Sequence, residues 1–324
     1  MTHRTIAAGL TLLALVALNA CSKDSTTDDT PRITGLSINE PPVFVAVGTT
    51  LTFNADVSAL EVSDDTSPVI GVYWMMNDEP RDTTTRNIKV ENPPFVYTAA
   101  KEGTYSLSCY AFGGTGYYSS TASTAFNAVY PGTVVKGLSG TPDVTLGGQS
   151  YRSLTAGGKT WLGNNLYLTT SDTNPEGLSY RGASILDLGA GRLYNWEEAN
   201  AICPSGWHLP TVAEFQLSFA GSDGNISAGS LMVDATFRDE AMWEYCPDVV
   251  ITNSFGFNAI PAGYVNAQNK FTPYETYGQY AAFWTADQEN DLGTFLYIHR
   301  ENPVVQRASA DKKTMYLSVR CVKD

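Results

Sequence analysis

Histidine is scarce in this chain of 324 residues: His3, His208 and His299 are the three it contains. His3 lies in a segment expected to be removed, so two would remain, too few for a three-histidine metal site. Basic residues are also short, with 20 Lys and Arg against 33 Asp and Glu and a net charge of −13. Nucleic acid is therefore excluded as a partner, because phosphates select basic surfaces. There is no Gly-x-Ser-x-Gly elbow, no His-Glu-x-x-His and no phosphate-cradling glycine loop, so serine hydrolases, zinc proteases and nucleotide enzymes lack their machinery here. No internal repeat is visible. The apolar run from Ile6 to Leu18 is too short for a comfortable membrane span.

Turn formers and tyrosine are plentiful instead: 28 Gly, 16 Pro and 18 Tyr, a composition that points to β structure with many turns. The length suits two domains, each with its own core. Residues 1–20 read as a signal peptide, with Arg4 before the apolar run, and Leu18-Asn19-Ala20-Cys21 looks like a lipobox. Cys21 is then the acylated first residue, anchored in a lipid bilayer. Residues 21–32 are polar and rich in Thr and Asp, a flexible tether. Ser22-Lys23-Asp24, followed by Asp28-Asp29, resembles the surface-export signal of Gram-negative lipoproteins. The expected location is thus the outer membrane, lipid-anchored and exposed at the cell surface; the alternative is the periplasmic leaflet.

From residue 33 to 130 the pattern is strands at short spacing. Leu51 to Val57 and Gly103 to Ala111 alternate apolar and polar, and Val69 to Met75 carries Trp74. Gly103-x-Tyr105-x-Leu107-x-Cys109 with Trp74 upstream is similar to strands C and F of an immunoglobulin-like or PKD-type sandwich, with Tyr105 as corner tyrosine. No partner cysteine lies near Leu51 to Val57, so Cys109 is expected as a free thiol. The resemblance implies a stalk.

Residues 131–142, with Pro131-Gly132 and Gly137-Leu-Ser-Gly-Thr-Pro142, read as a linker. Beyond it, Gly147-Gly148 and Gly157-Gly158 mark hairpin turns with Trp161 and Leu166 facing a core. Ser171 to Gly191 is loop-rich. Trp196, Ala199 and Cys203 share one face of a short helix that Pro204 ends. A second helix starts at Thr211, whose hydroxyl and Glu214 three residues on form a capping box. Ala281 to Ala286, Phe295 to Arg300 and Leu317 to Val322 read as later strands.

Gly191-Arg-Leu-Tyr-Asn-Trp196, Cys203-Pro-Ser-Gly-Trp-His-Leu-Pro-Thr211, Gly256-Phe-Asn-Ala-Ile-Pro-Ala-Gly-Tyr264, Phe283-Trp-Thr-Ala286 and Ser318-Val-Arg-Cys-Val-Lys-Asp324 come in the order of the bacterial major paralogous domain family, FISUMP, which residues 143–324 resemble. The fold class this implies is an all-β immunoglobulin-like sandwich followed by an α+β C-type lectin-like domain. It also implies a disulfide between Cys203 and Cys321, tying the first helix to the last strand. Leu-Pro-Thr-x-x-Glu-Phe is similar, in addition, to formylglycine-generating enzymes. Their late pair of copper-binding cysteines is missing, since Cys321 stands alone there.

No cofactor and no catalytic residue are expected. His208 reads as a structural hydrogen-bonder. The calcium motifs of sugar-binding C-type lectins are absent; the nearest substitute is the acidic stretch with Asp287, Glu289 and Asp291. Trp243, Tyr245, Tyr264, Tyr274, Tyr277 and Tyr280 crowd one region among Gly, Asn and Pro. From them Trp243, Tyr245, Tyr274 and Tyr277 are taken as candidate ligand-binding residues, with Tyr274 and Tyr277 facing solvent. The expected work is non-catalytic binding of an extracellular glycan or protein, as an adhesin or an accessory to a nutrient importer. The alternative is a structural subunit with a partner in an outer-membrane complex.

Overall fold

A computed structural model of the chain describes residues 33–59, 69–77, 79–87, 94–113, 119, 121–170, 176–267 and 276–324. The signal segment, Cys21, the tether and Tyr274 lie outside the described residues. Among the described residues no helix is long and apolar enough to cross a membrane.

The first unit is an immunoglobulin-like β-sandwich. One sheet has the order Phe44–Ala46, Ala122–Val129, Gly103–Gly113, Val69–Met76, Glu79–Asn87, its first pair parallel and the others antiparallel. Facing it, Thr50–Phe53 pairs with Phe95–Thr98, and Ala55–Ala59 pairs with Ile33–Ile38. The single alternating strand expected from Leu51 to Val57 is thus two strands broken at Asn54. Alternation drives one side of each strand inward, burying Phe53, Trp74, Leu107, Cys109 and Phe126 between the layers. Trp74 stacks on Phe95 with centroids 5.3 Å apart, and the Tyr105 hydroxyl donates to the Lys101 carbonyl at 2.8 Å, the corner arrangement foreseen. Cys109 is free, its thiol pushed up to about 12 by burial.

The connection 131–142 is no loose linker. Val135–Lys136 pairs with Thr236–Phe237, and Val134 and Val135 sit in a core shared by Phe44 and Val129 of the sandwich and Leu186, Ala190 and Phe237 of the second unit. Phe44 meets Phe237 edge to face at 6.0 Å. Arg238 reaches across to donate to Asn127 Oδ1 at 2.6 Å and Thr104 Oγ1 at 2.9 Å.

In the second unit both chain ends meet. Ser153–Ala156 and Lys159–Leu162 form a hairpin; its second strand pairs with Val322–Lys323, which pairs with Trp207–His208. The turn residues Gly157 and Gly158 have φ of 58° and 75°, the double positive value a two-residue type I′ turn requires. A larger sheet runs Leu178–Ser179, Arg192–Tyr194, Met315–Ser318, Tyr280–Glu289, Leu292–His299, Gln306–Ala310, with Val265–Asn266 pairing onto Met315–Ser318.

Two helices complete the unit. Trp196–Ile202 is capped by Asn195, whose side chain accepts from Glu198 N while Glu198 answers the Asn195 N–H. Val212–Phe219 carries the expected Thr211–Glu214 box. Phe215 and Phe219 pack with Trp161, Phe257 and Phe283 into one core. Arg320 is fully buried here without a carboxylate: it donates to Asn165 Oδ1, to the carbonyls of Leu162, Phe257 and Asn258, and lies over the rings of Phe257 and Phe283. Desolvation lowers its pKa to about 9. In the loop-rich stretch an ion pair between Asp187 and Arg192, at 2.5 Å, is likewise buried; burial raises the Asp187 carboxyl despite the neighbouring guanidinium.

Candidate functional site

The hairpin of Tyr280–Glu289 and Leu292–His299 turns at Asn290 and Asp291, both at positive φ. Strand alternation sends Leu296 and Ile298 inward against the helices and leaves Phe295, Tyr297 and His299 half-buried on the opposite face. An outer sheet face is ordinarily polar. Here the register sets Tyr280 opposite His299, Ala282 opposite Tyr297 and Phe295 opposite Ala308, so small residues alternate with rings across three strands.

The result is a groove of about 460 Å³ with Ala282, Ala308 and Leu317 as floor and Tyr264, Tyr280, Phe295 and Tyr297 as walls; His299, Asn302, Asn266 and Met315 complete it. Such a volume suits a small ligand or one residue of a larger one. The rings hold one another: Tyr280 lies 4.6 Å from His299 and 5.6 Å from Tyr264, and Phe295 lies 5.9 Å from Tyr297. Among the described residues nothing hydrogen-bonds the hydroxyls of Tyr264, Tyr280 and Tyr297 or the ring nitrogens of His299. Burial, with Tyr280 adding to it, raises the Tyr264 phenol, which stays a neutral donor. Among the described residues that line it, none is Asp, Glu, Lys or Arg.

Several residues expected at a site are placed elsewhere. Trp243 is buried, its indole donating to the Ala259 carbonyl at 3.2 Å, and Tyr277 is buried with its hydroxyl accepting from Arg181 N at 2.9 Å. Both are core residues outside the groove described above, and the burial of Tyr277 corrects the expectation that it faces solvent. Tyr245 is exposed, at 86%, but lies outside the groove. Of the acidic stretch, Asp287 accepts from Val212 N at 2.6 Å and so serves the N-terminus of the second helix, while Glu289 approaches Arg307 at 3.9 Å. Asp291 occupies the hairpin turn. Among the described residues no three His, Cys, Asp or Glu side chains converge on a point that could hold a metal ion.

Composition hid Phe295, Tyr297 and His299 because each is unremarkable alone. Their spacing of two along one strand, with rings where a solvent face expects polar groups, is the signal that would have found them.

His208 is the hydrogen-bonder foreseen. Its Nδ1 meets Asp324 Oδ1 at 2.6 Å and its Nε2 meets Glu214 Oε1 at 2.9 Å. Burial pulls its pKa down, but the two carboxylates outweigh that and the net direction is up. Burial alone would raise Glu214; bonds from Thr211, His208 and Lys159 instead bring it down to about 2. Beside this clasp, Cys203 and Cys321 form the expected disulfide, with Cα atoms 5.8 Å apart. Cys246, like Cys109, is free.

No curated protein matches the chain. Among solved structures it is similar to a CARDB domain from Pyrococcus furiosus, crystallised in complex with di-metal ions, at 17% identity and a TM-score of 0.25, over 32% of this chain and 99% of that one. A PKD domain of an M14-like peptidase from a Thermoplasmatales archaeon is similar at 22% identity and a TM-score of 0.23, over 31% and 96%. The adhesin InvE of Yersinia pseudotuberculosis is similar at 12% identity and a TM-score of 0.26, over 89% and 69%. Likenesses this remote say nothing about ligand or activity. The sequence match is of another kind: residues 154–323, more than half the chain, fit the family described as the Fibrobacter succinogenes major domain, and they hold the disulfide, the groove and the five motifs but for the final Asp324. The chain belongs to the Fibrobacter succinogenes major domain family.

Proposed function

We propose that this is an outer-membrane lipoprotein, anchored through an acylated Cys21 and exposed at the cell surface, whose second unit is a C-type lectin-like domain that binds an extracellular glycan or protein without catalysis. The lipobox and the Ser-Lys-Asp that follow it support the anchor and the outward location. Support for the C-type lectin-like assignment comes from the domain's meeting ends, Trp161 paired with Val322, and from a disulfide joining the first helix to the last strand.

The observation that carries the binding role is the aromatic groove on the outer sheet face. Its rings are already fixed by one another, so binding orders little more, and pre-organised apolar surface with unclaimed hydroxyls is what recognition of a partly apolar, partly polar ligand needs. Among the described residues no pair of carboxylates lines it, so general acid–base work of the glycosidase kind finds no groups among them.

The test is a glycan-array screen together with a pull-down from outer membranes, using the mature chain and a Tyr280→Ala variant. Ligand capture lost in the variant supports the reading. Capture of nothing, or co-purification with a membrane partner that ignores the variant, overturns it, and the second result favours a structural subunit.

A further inference from the structure

Resting on the proposed binding role, we infer that the groove takes a neutral saccharide, one pyranose ring stacked within it, and that it does so without calcium. Charge narrows the class first. Among the described residues the walls and floor hold no Asp, Glu, Lys or Arg, in a chain whose net charge is −13. A sulfated or uronic glycan would find no cation to meet its anion and would approach an acidic protein. A basic peptide would find no carboxylate. A wholly apolar ligand would strand the tyrosine hydroxyls and the His299 nitrogens it covers.

Shape narrows it further. A pyranose has flat apolar C–H faces and a rim of hydroxyls. The groove offers both: the rings of Tyr264, Tyr280, Phe295 and Tyr297 present aromatic faces beside the small side chains of Ala282, opposite Tyr297, and Ala308, opposite Phe295, and His299 and Asn302 add polar groups to the lining. Aromatic faces meet such C–H surface favourably, and phenol, imidazole and amide groups both donate to and accept from hydroxyls. Calcium-mediated sugar capture needs several oxygen ligands at the site, and a groove without carboxylates does not offer them.

The experiment measures binding of the mature chain to immobilised neutral oligosaccharides, to sialylated, sulfated and uronic ones, and to a random peptide library, each with and without EDTA. Two variants are run beside it: Tyr297→Ala, which removes a wall, and Ala308→Trp, which fills the floor, both at partly exposed positions so that thermal melts check folding. The expected result is neutral-glycan binding unaffected by EDTA, weakened about tenfold by Tyr297→Ala and abolished by Ala308→Trp. Neutral-glycan binding that ignores both folded variants overturns the location. Acidic glycans or peptides bound in place of neutral ones, and lost in the variants, overturn the ligand class and leave the groove's binding role standing. Binding that requires calcium overturns the calcium-free claim, and no binding of any probe overturns inference and role together.

Discussion

Replacing Glu214 with Gln removes the charge at the centre of the clasp that joins the second helix to the C-terminal end of the domain. Glu214 Oε1 receives His208 Nε2 at 2.9 Å and Lys159 Nζ at 3.0 Å, and Oε2 receives the Thr211 N–H at 2.8 Å. Its side chain is 16% exposed, but its partners Lys159 at 33% and His208 at 37% reach solvent, which screens part of the interaction. A pKa brought from 4.5 down to about 2 corresponds to at most about 3 kcal/mol of preference for the charged form, and to about 1–2 kcal/mol once solvent screening of its partners is counted. A depressed carboxylate stabilises above its unfolded value and loses that contribution as pH falls through the folded one, so this part is full above 4.5 and fades toward about 2. His208 runs the other way: its raised pKa stabilises below 6.5 and the contribution is lost as pH climbs through the folded value. Neutral imidazole can donate to one of its two carboxylates at a time. The clasp is therefore strongest between 4.5 and 6.5. Urea unfolding of wild type and Glu214→Gln at about pH 3, about pH 5.5 and about pH 8.5 should give the widest gap, about 1–2 kcal/mol, at the middle value. An equal gap at all three, or one below about 0.5 kcal/mol at the middle pH, would show that the carboxylate's charge plays no part in holding these elements.

Three further substitutions test other joints. Cys203→Ser with Cys321→Ser opens a link across 118 residues and should cost about 5 kcal/mol by chain entropy, read as a fall in melting temperature that reducing agent reproduces in wild type. Arg320→Met leaves four oxygen acceptors without their donor and should cost at least about 3 kcal/mol in denaturant unfolding, with Arg320→Lys nearly as costly because an ammonium cannot span all four. Arg238→Ala removes both hydrogen bonds across the seam; calorimetry should show the sandwich unfolding earlier by about 1–2 kcal/mol, and a single unchanged transition would mean that the shared core alone joins the units.

Local signals were legible where chemistry is local. The Thr211–Glu214 box, the Gly-Gly turns and the Tyr105 corner each depend on residues a few positions apart, and each is present as read. The Cys203–Cys321 bridge was accessible through resemblance alone, since no short-range pattern joins residues 118 apart. Expectations failed where packing decides. The Gly- and Pro-rich composition of 131–142 suggests a loose linker, yet Val134 and Val135 are buried because Phe44 and Phe237 close over them from both sides. Trp243 and Tyr277 look like surface aromatics in a polar stretch, but their polar ends find partners inside and their rings join the core. The groove depends on which strands neighbour one another, a long-range fact that spacing along one strand only hints at.

The motifs that mark the family are largely occupied in holding it together. Arg320, from the last motif, binds the carbonyls of Phe257 and Asn258 and stacks on Phe283, so one side chain ties three of the quoted stretches, and it also holds the Asn165 side chain. Trp284 donates to the Tyr194 carbonyl at 2.8 Å, and Trp196 to the Thr285 carbonyl at 2.9 Å, which brings in the stretch before the first helix. His208 and the disulfide join the helices to the end of the chain. Of the groove's principal residues, Tyr280, Phe295, Tyr297, His299 and Ala308 belong to none of these stretches; Tyr264 alone does. Alternation keeps Leu296 and Ile298 facing the core, while on the other face Phe295 meets Trp284 edge to face at 5.6 Å and Tyr297 and His299 stay half-buried. A ring exchanged at Tyr297, which does not touch Trp284 or Arg320 as Phe295 and Phe283 do, would therefore alter what the domain binds before it altered whether the domain folds.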